Sequence, residues 1–178
     1  MKILVVVDMQ NDFIYGDLGT SEARSIVPKV VEKITKYSAD SDIKILFTRD
    51  SHDATDYLST QEGINLPVLH CVMGTEGWEI IPELKDFCEN TVEKATFGCR
   101  NLASTISRLA REANDNHIDE VEFIGVCTDI CVISNALLLK AFEPELVISC
   151  DSSCCAGVTP AKHEAALEVL RSCQIDVK

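Results

Sequence analysis

Short strand-like runs alternate with helical patterns along the whole of this 178-residue chain. The first run, 3–7, is apolar on both faces, as a central strand of a parallel sheet requires. The other predicted strands are 43–48, 91–94, 121–125 and 146–150, with 175–177 as a candidate short sixth. Strands that alternate with helices favour right-handed βαβ units. We therefore expect a single α/β domain over 1–178, with three α/β/α layers around a mostly parallel sheet of five to six strands.

Helices are predicted between the strands from apolar residues at helical spacing. Pro28 is expected in the first turn of the first helix, where its missing N–H costs nothing. Thr159 and Pro160 predict the N-cap and first position of the last helix. Residues 50–82 form a long irregular stretch after the second strand, and ordered loops of this length usually carry function.

Composition excludes several classes of protein. A net charge of −13 repels nucleic acid and anionic membranes, so neither is expected as a partner. No apolar run is long enough to span a bilayer. The nine cysteines are odd in number and contain no CxxC pair, which argues against a disulfide framework, a zinc ribbon or a thioredoxin-type motif. We expect reduced thiols in a cytoplasmic protein.

Polar residues follow the predicted strands at their carboxyl ends, where open parallel sheets bind ligands. Asp8 ends the first strand, Lys94 the third, and Cys131 follows the fourth just before a helix. The N–H groups and dipole at the start of a helix favour a thiolate, so Cys131 is a candidate nucleophile. Taken singly, each residue has a plainer role: Asp8 as a turn cap, Lys94 as a surface lysine and Cys131 as a small packed side chain.

A second polar group lies in the stretch 50–82. Asp50, His52, Glu62 and His70 offer two imidazoles and two carboxylates, which suit zinc, iron or manganese. The alternative is that these are loop residues without a metal. His117, beside the polar run 114–116, is expected to face solvent, and His163 in the last helix is expected to be structural.

Five segments occur in an order that resembles a known family: VVVDMQNDF at 5–13, TRDSH at 48–52, HCVMGT at 70–75, KATF at 94–97 and GVCTDICV at 125–132. Together they resemble the isochorismatase-like cysteine hydrolases, and most of all their nicotinamidase/pyrazinamidase branch. The resemblance covers essentially the whole chain.

The resemblance implies a metal-dependent amidase that converts nicotinamide to nicotinate and ammonia through a cysteine thioester. Asp8 would act as general base and then general acid, and Lys94 would hold its charge near Asp8 and Cys131. Cys131 would attack the amide carbon. The N–H groups of Cys127 and Cys131 would form the oxyanion hole, with a cis peptide bond between Val126 and Cys127. The side chains of Cys71 and Cys127 are expected to pack rather than react.

The resemblance also implies a divalent ion, zinc before iron or manganese, that binds the pyridine nitrogen of the substrate. Asp50, His52 and His70 would hold it, and Glu62 would replace a further histidine that many relatives carry. Phe13 would form one wall of the ring pocket, or would simply belong to the core.

Two departures keep other functions open. A tryptophan that often precedes the second metal histidine is absent from 66–69, which favours another small amide, such as a carbamoyl or ureido acid. A thiol-based redox or metal-binding protein is the alternative from a different class. Relatives often form dimers or tetramers, so a homo-oligomer is expected; the leucines at 137–139 suit either an interface or the core.

Overall fold

A computed structural model describes residues 1–112 and 117–178. Its six strands form one parallel sheet in the order β3-β2-β1-β4-β5-β6, which confirms the predicted fold class. The strands are β1 (Lys2–Val7), β2 (Ile43–Asp50), β3 (Thr91–Lys94), β4 (Glu120–Val126), β5 (Ile148–Ala156) and β6 (Asp176–Val177). His117 is exposed, as expected, whereas the polar run Asn114, Asp115 and Asn116 lies outside the described residues.

Helices cover the sheet on both sides. They are α1 (Asn11–Ile14), α2 (Ser21–Ser38), α3 (Gln61–Asn65), α4 (Arg100–Glu112), α5 (Ile133–Phe142) and α6 (Pro160–Ser172). α2 packs against β2, β4 and β5, while α5 packs between α4 and α6. Right-handed crossovers in this strand order place α2 on one face and α4, α5 and α6 on the other. Within 1–112 and 117–178, no helix has the length and apolar character needed to cross a bilayer.

β1 lies at the centre of the sheet, and its residues from Ile3 to Val7 are completely buried. The chain leaves β1 toward β2 on one side and leaves β4 toward β5 on the other, so β1 and β4 flank a topological switch point. Such a point opens a crevice beyond the carboxyl ends of the strands. Pairing of Val7 with Gly125 and of Asp50 with Lys94 brings four strand ends to this rim.

The prediction for Pro28 is wrong, because α2 begins earlier and Pro28 lies in its interior. Thr20 caps the helix by accepting a hydrogen bond from the N–H of Ala23 at 3.0 Å. Buried apolar residues lie on both sides of the proline, including Val27 before it and Val30 after it. Burial of this apolar stripe against the sheet outweighs the one helical hydrogen bond that Pro28 cannot donate.

The prediction that the fifth strand ends at Cys150 is also wrong, because β5 continues to Ala156. Its polar middle resembles a loop in sequence but forms an irregularity where the pairing with β4 shifts between Phe123 and Gly125. Asp151 in this segment forms an ion pair with Lys33 of α2. Side-chain partners therefore replace part of the regular strand pairing.

The stretch 50–82 is less irregular than expected. It contains a 3-10 turn, Tyr57–Ser59, followed at once by α3. The Thr60 hydroxyl caps α3 by accepting a hydrogen bond from the Gly63 N–H at 3.0 Å. The backbone of His52 bridges to Val72, which closes the stretch into an ordered loop.

Candidate active site

Two predicted catalytic side chains and one predicted metal ligand surround Lys94, which is itself predicted to be catalytic. Its Nζ lies 2.7 Å from Asp8 Oδ2, 3.1 Å from Asp50 Oδ1 and 3.5 Å from Cys131 Sγ. All four residues are buried. A single ammonium group therefore connects an acid, a thiol and the carboxylate that leads to the histidines.

Electrostatics keep this lysine charged. Burial alone would lower the pKa of Lys94, but the charges of Asp8, of Cys131 when it is ionised, and of Asp50 outweigh it and raise that pKa well above its ordinary value. Burial raises the pKa of Asp8, with Asp50 adding to the rise and Lys94 opposing it. The Thr48 hydroxyl donates to Asp8 Oδ1 at 2.6 Å and so fixes the carboxylate.

Cys131 lies between β4 and α5. The segment 125–132, which comprises the last two residues of β4 and the connection to α5, is called the β4–α5 turn below. The peptide bond between Val126 and Cys127 is cis, as the family resemblance implied. A single π-helical turn, Thr128–Val132, follows, and the N–H groups of Ile130 and Val132 both donate to the Cys127 carbonyl at 3.1 Å.

Gly125 allows this turn to approach β1. Its φ is +113°, a backbone conformation that residues other than glycine rarely adopt. A Cβ at this position would lie 2.2 Å from the Val7 carbonyl oxygen. The close contact brings the turn next to Asp8, which follows Val7 directly.

The protonation of Cys131 differs from the expectation. Burial raises the pKa of the Cys131 thiol well above its ordinary value, Asp8 adds to the rise, and Lys94 opposes it. The thiol is held inside the π-helical turn rather than at an open helix end, so desolvation outweighs the helix dipole. A raised pKa favours the thiol, so the reaction calls for a nearby base that takes its proton.

Asp50 also belongs to a cluster of four candidate metal ligands. Asp50, His52, Glu62 and His70 each offer one ligand atom within 4.8 Å of those of the others. Asp50 Oδ2 lies 3.0 Å from His52 Nε2 and 3.7 Å from His70 Nε2. Glu62 Oε1 lies 3.8 Å and 3.7 Å from the same two nitrogens.

These donors fit a divalent ion. Ligands about 2.1 Å from an ion at the corners of a tetrahedron lie about 3.4 Å from one another, close to the spacings seen here. Burial would raise the pKa of Asp50, but hydrogen bonds with His52 and His70 and the charge of Lys94 lower it below its ordinary range. Asp50 is therefore ionised, as a metal ligand must be.

Neighbouring groups orient both imidazoles. His70 Nδ1 lies 2.8 Å from the Val68 carbonyl, so it donates there and leaves Nε2 facing the cluster. The Tyr57 ring packs against both histidines, with centroids 4.7 Å from His52 and 5.2 Å from His70. The Phe13 ring lies 5.5 Å from that of His70, at the edge of the cluster.

Two supporting residues were missed in the sequence. The buried Gln10 side chain donates to the Asp50 carbonyl at 2.8 Å and accepts from the Asp50 N–H at 2.7 Å. Asn135 of α5 donates to the Cys131 carbonyl at 2.7 Å and accepts from the Cys99 N–H at 2.8 Å. Gln10 lies within a quoted family segment, but the contact of Asn135 with Cys99 has no local sequence signal because the two residues are 36 positions apart.

Comparison with known proteins decides the family. A family model described as the isochorismatase domain matches residues 2–177. The chain belongs to the isochorismatase family. The nicotinamidase of Saccharomyces cerevisiae is 32% identical over an aligned region that covers 77% of this chain and 80% of the yeast protein.

Solved isochorismatase-fold structures superimpose over nearly the whole chain. The pyrazinamidase of Pyrococcus horikoshii in complex with zinc matches with a TM-score of 0.81 and 29% identity, over 99% of this chain and 98% of that chain. The N-carbamoylsarcosine amidase of Thermoplasma acidophilum matches with a TM-score of 0.78 and 27% identity, over 99% and 95% of the two chains. The expected nicotinamidase branch of the family is confirmed by the named relatives.

Proposed function

We propose that this isochorismatase-family protein is a metal-dependent amidase that hydrolyses nicotinamide to nicotinate and ammonia. The observation that carries the proposal is the position of Lys94 between Asp8, Cys131 and Asp50. One residue thereby joins a thiol and its base to a cluster of metal ligands. The names of the yeast and Pyrococcus relatives support an amide substrate with an aromatic ring.

In the first half of the reaction Cys131 Sγ attacks the amide carbon while its proton passes to Asp8. The backbone N–H groups of Cys127 and Cys131 donate hydrogen bonds to the carbonyl oxygen as it becomes negatively charged. A donor of this kind lowers the barrier by about 3–4 kcal/mol. The carbon–nitrogen bond then breaks, and Asp8 returns the proton to the leaving nitrogen. Ammonia departs and leaves an acyl thioester on Cys131.

In the second half water attacks the thioester carbon and gives a proton to Asp8. The carbon–sulfur bond breaks, and Asp8 passes the proton back to Cys131 Sγ, which restores the thiol. Lys94 stays protonated throughout because its pKa is raised. Its charge faces both Asp8 and Cys131, so it stabilises whichever of them is ionised at each stage.

Asp50, His52, Glu62 and His70 would hold a divalent ion, with zinc preferred over iron or manganese. Such an ion would supply a Lewis acid for the ring nitrogen of the substrate. Phe13 would form an aromatic wall for the ring, since it already lies against His70 at the edge of the cluster.

A second candidate keeps the chemistry and changes the substrate to a carbamoyl or ureido acid. The resemblance to N-carbamoylsarcosine amidase favours it, as does the absence of a tryptophan before His70. The same thiol would attack the carbamoyl carbon.

The test measures ammonia and carboxylate products from the zinc-loaded protein, with nicotinamide and N-carbamoylsarcosine as parallel substrates. We expect equal amounts of nicotinate and ammonia from nicotinamide, and loss of turnover when the metal is removed by a chelator. Turnover of N-carbamoylsarcosine alone would transfer the proposal to the second candidate. Folded, zinc-loaded protein that hydrolyses neither compound would overturn both.

A further inference from the structure

We propose that His163 of α6 is a positioning residue for the β4–α5 turn, which it holds through Thr128. The inference rests on the proposed function in one respect, namely that Cys131 is the nucleophile. His163 lies in a different helix from every residue of the proposed mechanism and has no place in the proton transfers.

The contact is specific and buried at the turn. Thr128 is completely buried, and its Oγ1 lies 2.8 Å from His163 Nδ1. A buried hydroxyl without a partner is costly, so this contact stabilises the position of Thr128. Thr128 directly follows Cys127 and is the first residue of the π-helical turn that contains Cys131. A shift of Thr128 therefore moves both proposed oxyanion donors.

A second connection holds the same two segments together. Asp129 Oδ1 accepts a hydrogen bond from the Val158 N–H at 2.9 Å. The chain passes close by at Gly157, where a Cβ would lie 2.8 Å from Asp129 Oδ1 and 2.9 Å from the His163 N atom. The residues from 157 to 163 thus lie directly against the turn.

The start of α6 gives His163 a fixed backbone. The Thr159 side chain accepts a hydrogen bond from the Lys162 N–H at 3.2 Å, and the Thr159 carbonyl accepts one from the His163 N–H at 2.9 Å. A capped first helical turn holds its residues in one geometry. His163 can therefore act as a rigid support rather than as a mobile surface side chain.

The support should affect the chemical step more than substrate binding. Oxyanion donors act on charge that develops only in the transition state, so their displacement lowers kcat. The proposed ring contacts, Phe13 and the metal ligands, lie in other segments of the chain. KM should consequently change little when His163 is replaced.

The experiment compares His163→Leu with His163→Asn and Thr128→Val. Leucine removes the polar atom at the Nδ1 position, whereas asparagine retains one there. Glu164→Leu, an exposed neighbour on the same helix, is the matched control. We expect kcat to fall about tenfold in His163→Leu and Thr128→Val, which corresponds to about 1.4 kcal/mol. KM should be unchanged, and His163→Asn and Glu164→Leu should remain near wild type.

The double variant His163→Leu/Thr128→Val supplies a check that does not depend on the size of either effect. If His163 acts through Thr128, the double variant should be no slower than the slower single variant. Additive losses would overturn the inference. So would a KM that rises while kcat is unchanged, because that pattern reports a role in binding.

Hydrolysis of p-nitrophenyl acetate separates this inference from the choice of substrate. The ester needs the thiol and the oxyanion donors but not the ring pocket, and Cys131→Ala defines the background rate. A wild type that cleaves the ester but not nicotinamide would contradict only the proposed substrate, and the same variant pattern on the ester would still support His163. Wild-type rates in folded His163→Leu and Thr128→Val would overturn the inference. A wild type without Cys131-dependent cleavage of either compound would also overturn it.

Discussion

At the scale of single residues, Asp50 is the link between the two halves of the site. Its Oδ1 lies 3.1 Å from Lys94 Nζ, and its Oδ2 lies 3.0 Å from His52 Nε2. Gln10 holds the backbone of Asp50 on both sides, so the carboxylate has little freedom to choose between its partners. The lysine beside the nucleophile and the proposed metal site therefore share one fixed carboxylate.

Replacement of Glu62 tests the metal ligand with the weakest support from the sequence. Burial raises the pKa of Glu62, with Asp50 adding to the rise, so a free carboxylate here is costly unless a cation is near. We expect Glu62→Gln to lower zinc affinity by about tenfold or more. Competition with a chromophoric chelator measures this, and Glu76→Gln, an exposed residue of the same loop, is the control. Equal zinc affinity in both variants would remove Glu62 from the ligand set.

At the scale of elements, the sequence predicts which residues lie at the strand ends, but it does not predict which side chains hold those residues in position. Asp8, Lys94 and Cys131 were placed on one rim because parallel strands bring their carboxyl ends together. Asn135 and His163 were not, because the contacts of Asn135 with Cys99 and of His163 with Thr128 join residues 36 and 35 positions apart and leave no local pattern. Periodicity reports burial, but a hydrogen bond across the fold depends on tertiary packing.

The errors at the element scale have the same origin. The polar middle of β5 resembles a loop because its partners, Lys33 and the end of the chain, are far away in sequence. The turn alone suggests a helix end that would lower the pKa of Cys131, whereas the surrounding fold buries the thiol and raises that pKa.

Gly125 provides the element-scale prediction. In Gly125→Ala the new Cβ would clash with the Val7 carbonyl at 2.2 Å, and a φ of +113° would be strained. We expect the free energy of unfolding to fall by about 1–3 kcal/mol or more. Urea denaturation measures it, with Gly74→Ala as the control: Gly74 also has a positive φ, but its Cβ would have no neighbour within 4 Å. A smaller loss in Gly125→Ala than in Gly74→Ala would contradict the account.

At the scale of the whole molecule, a charge cluster far from the rim joins α2 to the sheet. Glu122 is almost fully buried and pairs with Lys2 at 2.8 Å and with Lys33 at 2.9 Å. Glu120 and the last residue, Lys178, extend the cluster. Expected properties at this scale, a homo-oligomer in the cytoplasm, stay predictions.

This cluster predicts how stability depends on pH. Burial would raise the pKa of Glu122, but hydrogen bonds from Lys2 and Lys33 lower it below its ordinary value. Burial would also raise the pKa of Glu120, but hydrogen bonds from Lys178, Ser149 and Lys2 outweigh it and lower that pKa to about 2. Because both values lie below that of an unfolded glutamate, about 4.3, this stability is present above that pH and is lost as the pH falls toward 2.

Urea denaturation across this pH range, for wild type and Glu122→Gln, measures the effect. We expect Glu122→Gln to be less stable than wild type at neutral pH, because it leaves Lys2 and Lys33 without their buried partner. The difference should shrink as the pH falls and wild-type Glu122 becomes protonated. A difference that stays constant with pH would contradict the role of this carboxylate.

The central claim is that Cys131 hydrolyses an amide, and ammonia release from nicotinamide by zinc-loaded wild type, Cys131→Ala and Cys127→Ala tests it most directly. Both cysteines lie in the same turn, but the proposal uses only the backbone of Cys127. The account predicts that Cys131→Ala folds and releases no ammonia above background, while Cys127→Ala retains most of the wild-type rate. Ammonia release by folded Cys131→Ala at a rate close to that of wild type would contradict it.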